Sequence, residues 1–129
     1  MVFINDGNGK YTPQPLPKLA QVAPVNQLIF EDFTGDGIMD LLIAGNMYQT
    51  EVETPRYDAG VGLLLEADGK GNFNPVQPWR SGFNASFDVK DMALVQTSRA
   101  GEPFIVVANN DGPVQVFRYS STAKLLSAC

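Results

Sequence analysis

The segment Asp32-Phe33-Thr34-Gly35-Asp36-Gly37-Ile38-Met39-Asp40 places oxygen side chains at loop positions 1, 3, 5 and 9, with glycine at position 6. A hard cation such as Ca2+ takes about six to eight oxygens at roughly 2.3–2.6 Å, gathered from a tightly curled segment. Asp32, Thr34, Asp36 and Asp40 offer side-chain oxygens at that spacing, and the Ile38 carbonyl is the backbone ligand expected at position 7. Gly37 permits the sharp turn that brings position 7 inward. Three carboxylates crowded into nine residues repel one another, and a divalent ion removes that cost. Thr34 presents a neutral hydroxyl where Asp or Asn is expected, so affinity should fall below that of a fully acidic loop. The competing reading is an Asx-rich turn that binds nothing.

This loop differs from a helical EF-hand. Position 12 is Ile43 rather than Glu, and the residues that follow, Asp40-Leu41-Leu42-Ile43-Ala44, read as a buried strand. A loop of this kind belongs between two strands.

The rest of the composition narrows the chemistry. The chain has no histidine, which removes Ser–His–Asp and Cys–His catalysis, histidine proton shuttles and histidine zinc sites. Its one cysteine, Cys129, rules out an intrachain disulfide and a thiolate cage, and is read as a terminal thiol with no role. Nine Lys and Arg against 14 Asp and Glu give a net charge of −5, without the basic stripe a nucleic-acid partner requires. No apolar run approaches the roughly 18 residues needed to span a bilayer. Met1–Asp6 lacks a basic region followed by an apolar stretch, so no signal peptide is visible.

With 129 residues, 44% of them hydrophobic, the chain can build one core. Twelve Gly and nine Pro break it too often for long helices. Short apolar runs separated by turn residues predict an all-β chain of about nine strands. The runs are Val2–Asn5, Tyr11–Thr12, Val25–Phe30, Asp40–Ala44, Val61–Leu65, Phe73–Val76, Val89–Val95, Phe104–Ala108 and Val114–Tyr119. Pro13–Pro24 reads as an irregular connector, and at most one fraying helical turn is expected, over Ala123–Ala128.

Two segments repeat in outline. Phe3-Ile4-Asn5-Asp6-Gly7-Asn8-Gly9-Lys10-Tyr11-Thr12-Pro13 matches Leu65-Glu66-Ala67-Asp68-Gly69-Lys70-Gly71-Asn72-Phe73-Asn74-Pro75. Each has an apolar strand end, Asp-Gly-x-Gly-x-aromatic, and a proline two residues on, an offset that suits a four-stranded propeller blade with one long loop.

On these residues the chain resembles the FG-GAP/VCBS repeat family of β-propellers, which includes the integrin α-subunit head and many bacterial extracellular proteins. Phe30–Leu42 carries the calcium-loop signature, and the turns at Asp6–Tyr11 and Asp68–Phe73 match the later hairpin of the repeat. Phe87–Met92 through Asn109–Asp111 and Val114–Arg118 looks like a closing segment of bacterial members. The resemblance implies antiparallel four-stranded blades of an incomplete propeller and a mainly structural Ca2+ held by Asp32, Thr34, Asp36, Ile38 and Asp40. It also implies an extracellular or cell-surface setting and an interaction or adhesion module with no catalysis. Read in blades, residues 1–24 are a hairpin from a preceding blade plus a Pro-rich connector. Residues 25–80 form a complete blade with the calcium loop, 81–119 a partial closing blade and 120–129 a disordered tail.

Family propellers have six or seven blades, and this chain holds about two. Blades bury their faces against neighbours, so an isolated pair leaves apolar faces and strand edges open. The expected partners are copies of the chain itself, forming a homo-oligomer, or the blades of a parent protein, with a protein or glycan as possible ligand. In the self-associating form, the N-terminal hairpin of one chain is expected to complete the C-terminal blade of another.

Other polar residues are read more plainly. Glu51, Glu53, Arg56, Tyr57 and Asp58 lie in a long loop and are taken as solvated, although Arg56 with Tyr57 has the chemistry to recognise a carboxylate or sugar. Trp79 beside Arg80 is taken as a packed edge rather than a sugar-stacking platform. Asp88 and Asp91 are the one acid/base pair to weigh for a carbohydrate-active enzyme fragment, the alternative function. Their spacing in a strand puts them on opposite faces, which argues against that role.

Overall fold

The computed structural model describes residues 1–96, 103–120 and 127–128. Ten antiparallel strands and two single helical turns make up the described structure, so the chain is all-β. Strands β1 (Val2–Asn5) and β2 (Tyr11–Gln14) form a two-stranded hairpin. A first four-stranded sheet runs in simple order through β3 (Val25–Glu31), β4 (Asp40–Gly45), β5 (Leu63–Ala67) and β6 (Phe73–Val76). A second has the same order in β7 (Val89–Val95), β8 (Phe104–Asn109), β9 (Gln115–Arg118) and β10 (Ser127–Ala128).

β10 was not expected. Ser127 and Ala128 pair with Arg118 and Phe117, where the sequence suggested a disordered tail or a helical turn. The C-terminal sheet therefore has its own fourth strand, paired with β9 at the sheet's edge. The remaining tail residues, 121–126 and Cys129, lie outside the described residues.

The helical turns also differ from expectation. The connector contains a 3-10 turn at Lys18–Gln21. Pro78–Ser81 forms one α-turn, with Pro78 supplying a helical φ at its start and Gly82 closing it at φ 70°.

The two sheets are built on one plan. In the first, Val25 pairs with Gly45 and Gln27 with Ala44, with a bulge between; in the second, Val89 pairs with Asn109 and Asp91 with Ala108, with the same bulge. Just beyond, Asn46 N–H donates to the Pro24 carbonyl at 3.1 Å, and Asn110 N–H to the Asp88 carbonyl at 2.8 Å. Every one of these positions is offset by 64 residues, from Val25 to Val89 and from Gly45 to Asn109. The β1–β2 hairpin in turn copies β5–β6: Phe3 pairs with Pro13 as Leu65 pairs with Pro75. Asp6 and Asp68 each accept two backbone N–H bonds across their turns, at 2.9 and 3.1 Å from Asn8 and Lys10 and at 2.8 and 3.0 Å from Lys70 and Asn72.

β4 is apolar at nearly every position because the strand itself is covered on both faces. Leu42, Ala44 and Leu64 face the second sheet and meet Val89, Met92, Ile105, Val107 and Phe117 in the main core. Leu41, Ile43, Leu63 and Leu65 face the other way, where Leu16 and Ala20 of the connector close a smaller cluster. Each fully buried large side chain of this kind contributes about 1.5–3 kcal/mol by leaving water. The same packing fixes strand register, since a slip of one residue would exchange the two faces.

Candidate metal centre

The pairing of Glu31 with Asp40 closes the base of the Asp32–Met39 loop, so its shape follows from the register of β3 and β4. Inside it, side-chain carboxylates hold the backbone. Asp32 Oδ1 accepts from the N–H groups of Gly35 at 2.7 Å and Asp36 at 3.1 Å, and its Oδ2 accepts from Gly37 at 2.8 Å. Asp36 Oδ1 accepts from Ile38 N–H at 2.8 Å. Gly35 and Gly37 take φ of 77° and 83°, backbone that a side chain would strain.

Asp40 is fully buried and links the loop to the next strand. Its Oδ2 accepts from Thr34 N–H at 3.0 Å, and its Oδ1 from Ala67 N–H of β5 at 2.9 Å. Thr34 Oγ1 is buried with no hydrogen-bond partner among the described residues, which leaves a side-chain oxygen of the loop orphaned. Ile38 is half-buried, with its side chain over Gly69 of the β5–β6 turn.

The loop is also anchored to the second sheet. Phe33 is buried edge-on against Tyr119, with ring centroids 4.9 Å apart and planes at 72°. The Tyr119 hydroxyl donates to the Asp32 carbonyl. Burial raises the Tyr119 pKa above the ordinary phenol value, and the negative charges of Glu31, Asp32 and Asp40 raise it further. Neither Tyr119 nor this link is visible in the sequence, because Tyr119 is 87 residues from Asp32.

The structure thus brings Asp32, Thr34, Asp36, Ile38 and Asp40 into one loop, but it turns their carboxylates onto backbone donors. Among the described residues no three His, Cys, Asp or Glu side chains gather into a group that could hold a metal ion. The donor chemistry nonetheless fits a hard cation. A carboxylate has about four lone-pair sites, of which Asp32 uses three, Asp40 two and Asp36 one. The buried Thr34 hydroxyl oxygen has none of its acceptor capacity taken.

Arg56, Asp58, Asp88 and Asp91 already have side-chain partners. Arg56 pairs with Asp58 at 3.2 Å and lies over the Tyr48 ring at 4.5 Å, while Tyr57 bridges Met47. Asp88 is fully buried against Lys90 at 2.7 Å, and Asp91 accepts from Gln27 at 2.5 Å and from its neighbour's N–H at 2.8 Å. Trp79 is a correction to the sequence reading. It is 77% exposed on the Pro78–Ser81 turn, where it lines an apolar cavity of about 260 Å3.

Asn46, which the sequence reading passed over, is fully buried and joins the sheets. The two hydrogens of its Nδ2 are shared among the carbonyls of Gly60, Ser86 and Phe87 at 2.8, 3.2 and 3.1 Å, and its Oδ1 accepts from Gly60 N–H at 2.9 Å. Comparison with protein-family models, curated proteins and solved structures returned no match.

Proposed function

We propose that the chain is a calcium-stabilised, propeller-type interaction module without a catalytic step, acting with further blades supplied by copies of itself or by a parent protein. The observation that carries this reading is the Asp32–Asp40 loop. The carboxylates of Asp32, Asp36 and Asp40, four residues apart, already accept backbone N–H bonds that curl the loop, and a buried hydroxyl oxygen among them lacks any partner. The Asp32, Thr34, Asp36 and Asp40 side chains and the Ile38 carbonyl would hold the ion. Bound Ca2+ would supply charge neutralisation and a rigid loop rather than chemistry on a substrate.

The loop's links to Ala67 and Tyr119 give that rigidity a route into both sheets. A protein or a glycan is the class of ligand such a module takes, and the net charge of −5 disfavours nucleic acid. The alternative, a carbohydrate-active fragment, lacks a free carboxylate pair at Asp88 and Asp91, since each is already engaged. The test is Asp36→Ala. It should melt below wild type in millimolar calcium and lose the difference in EDTA. Equal melting curves in calcium would remove the metal reading.

A further inference from the structure

Equivalent positions in the two sheets have very different surroundings. Val89 and Met92 of β7 are buried, at 0% and 5% exposure, whereas Val25 and Leu28, their counterparts in β3, are 44% and 48% exposed. Phe30 is 47% exposed, and its counterpart Leu94 packs against the main core. Leu28 and Phe30 stand opposite Ile43 and Leu41 in the pairing of β3 with β4. They therefore share the face closed further along by Leu16 and Ala20.

The hairpin shows the same contrast. Phe3 of β1 is 64% exposed, while Leu65 at the matching place in β5 is fully buried. β5 has β4 on its free side; β1 is the edge of a two-stranded sheet. The β1–β2 hairpin lies beside the β5–β6 turn, where Gln14 Nε2 donates to Asn72 Oδ1 at 2.9 Å.

The chain itself shows what covers such a face. Val89 and Met92 lie in the core formed with Leu42, Ala44 and Leu64 of the preceding sheet, and Ile29 of β3 packs there too. Moved back by one repeat, that packing calls for two strands like β3 and β4. One would pair with the free edge of β1, and both would lie under Val25, Leu28 and Phe30.

We infer that the edge of β1 and the uncovered face of β3 form one docking groove for an apolar β-hairpin of this chain's own β3–β4 type, supplied by a preceding repeat of the same kind. Strand addition to β1 supplies main-chain hydrogen bonds, and the β3 side chains supply the apolar wall. The inference rests on the blade reading above and is independent of the calcium loop.

Hydrogen exchange on the full chain tests it, in calcium and in EDTA, with a synthetic peptide of residues 25–45 flanked by lysines. Phe3–Asn5 should exchange at least about tenfold more slowly with the peptide. A peptide with Leu41→Pro, which loses the backbone donor that faces the partner strand in the Leu41–Leu65 pairing, should give no protection. The Leu28→Asp, Phe30→Asp double variant, whose native side chains are about half exposed, should fold with the melting temperature lowered by several degrees and should lose the effect. A fusion carrying residues 25–62 ahead of Met1 should show the same protection without added peptide. Unchanged β1 exchange in both peptide and fusion overturns the inference. Protection of β1 that grows with the protein's own concentration also overturns it, by placing a second copy in the groove. If β4 and β8 exchange as fast as β1 in the free protein, the blade reading falls and takes this inference with it. Protected β4 and β8 beside an unresponsive β1 sink this inference alone.

Discussion

Replacing Asp40 by alanine separates the loop's own architecture from any ion it holds. Asp40 is fully buried, and its two oxygens accept N–H bonds from Thr34 at 3.0 Å and Ala67 at 2.9 Å. A hydrogen bond to a charged group contributes about 1.5–3 kcal/mol, and a buried N–H left unsatisfied costs about 1–3 kcal/mol. Ala67 is buried in β5, so its N–H would be stranded; Thr34 is half-buried, and its N–H has a route to water. The expected loss for Asp40→Ala is about 3 kcal/mol in EDTA. For a chain of this size that lowers the melting temperature by roughly 10 °C. Asp40→Asn keeps one acceptor but aims an amide donor at the other N–H, so it should recover only part of the loss. Thermal unfolding by circular dichroism in EDTA measures this directly. Asp36 accepts a single bond, from Ile38 N–H in an exposed stretch, so Asp36→Ala should stay within about 3 °C of wild type under the same conditions. If Asp40→Ala also melts within about 3 °C of wild type, the carboxylate does not hold the loop to β5 and the reasoning fails.

Tyr119 gives a prediction in pH. Its phenol pKa is raised by burial and by Glu31, Asp32 and Asp40, so the unfolded chain ionises before the folded one. The stability it contributes is fully present below the ordinary phenol pKa of 10.0 and is lost as pH rises through the higher folded value. Denaturant midpoints from neutral pH upward should therefore fall more steeply for wild type than for Tyr119→Phe; parallel curves would refute this. At neutral pH the Phe variant should lose about 1 kcal/mol, the value of the hydroxyl's bond to the Asp32 carbonyl. Asn46 uses both amide hydrogens and its carbonyl oxygen in buried hydrogen bonds, so Asn46→Ala should cost about 3 kcal/mol or more. Asn46→Gly, which relieves the backbone at its φ of 116°, should be the more stable of the two by about 1 kcal/mol, and the reverse order in urea denaturation would count against the strain argument.

Much of the fold could be read from local pattern. The unbroken apolar run Leu41–Ala44 signalled a strand buried on both faces, and the two sheets' packing explains why. The turns after Asp6 and Asp68 were legible because Asp-Gly-x-Gly imposes its own hydrogen bonds. The 64-residue repeat of the sheets was harder to see, since little sequence survives in it. At the loop positions of Asp32, Thr34, Asp36 and Asp40 the second repeat has Gln96, Ser98, Ala100 and Phe104, so the acidic signature is gone. What joins the sheets was illegible for another reason: Asn46 and Tyr119 act on partners far along the chain, and no local spacing marks them. β10 is two residues long and carries no periodicity to detect. Trp79 misled because an exposed indole and a packed one look alike in sequence.

The central claim is that the Asp32–Asp40 loop takes calcium, and calorimetric titration of Ca2+ into the EDTA-treated, dialysed chain tests it most directly. The account predicts one ion per chain, lost in Asp36→Ala. It also predicts a melting temperature that climbs by about 10 °C once calcium exceeds its dissociation constant a hundredfold, the equivalent of about 2.7 kcal/mol. No heat of binding and no shift in melting at millimolar calcium would contradict it, leaving the loop as a turn that its own carboxylates hold closed.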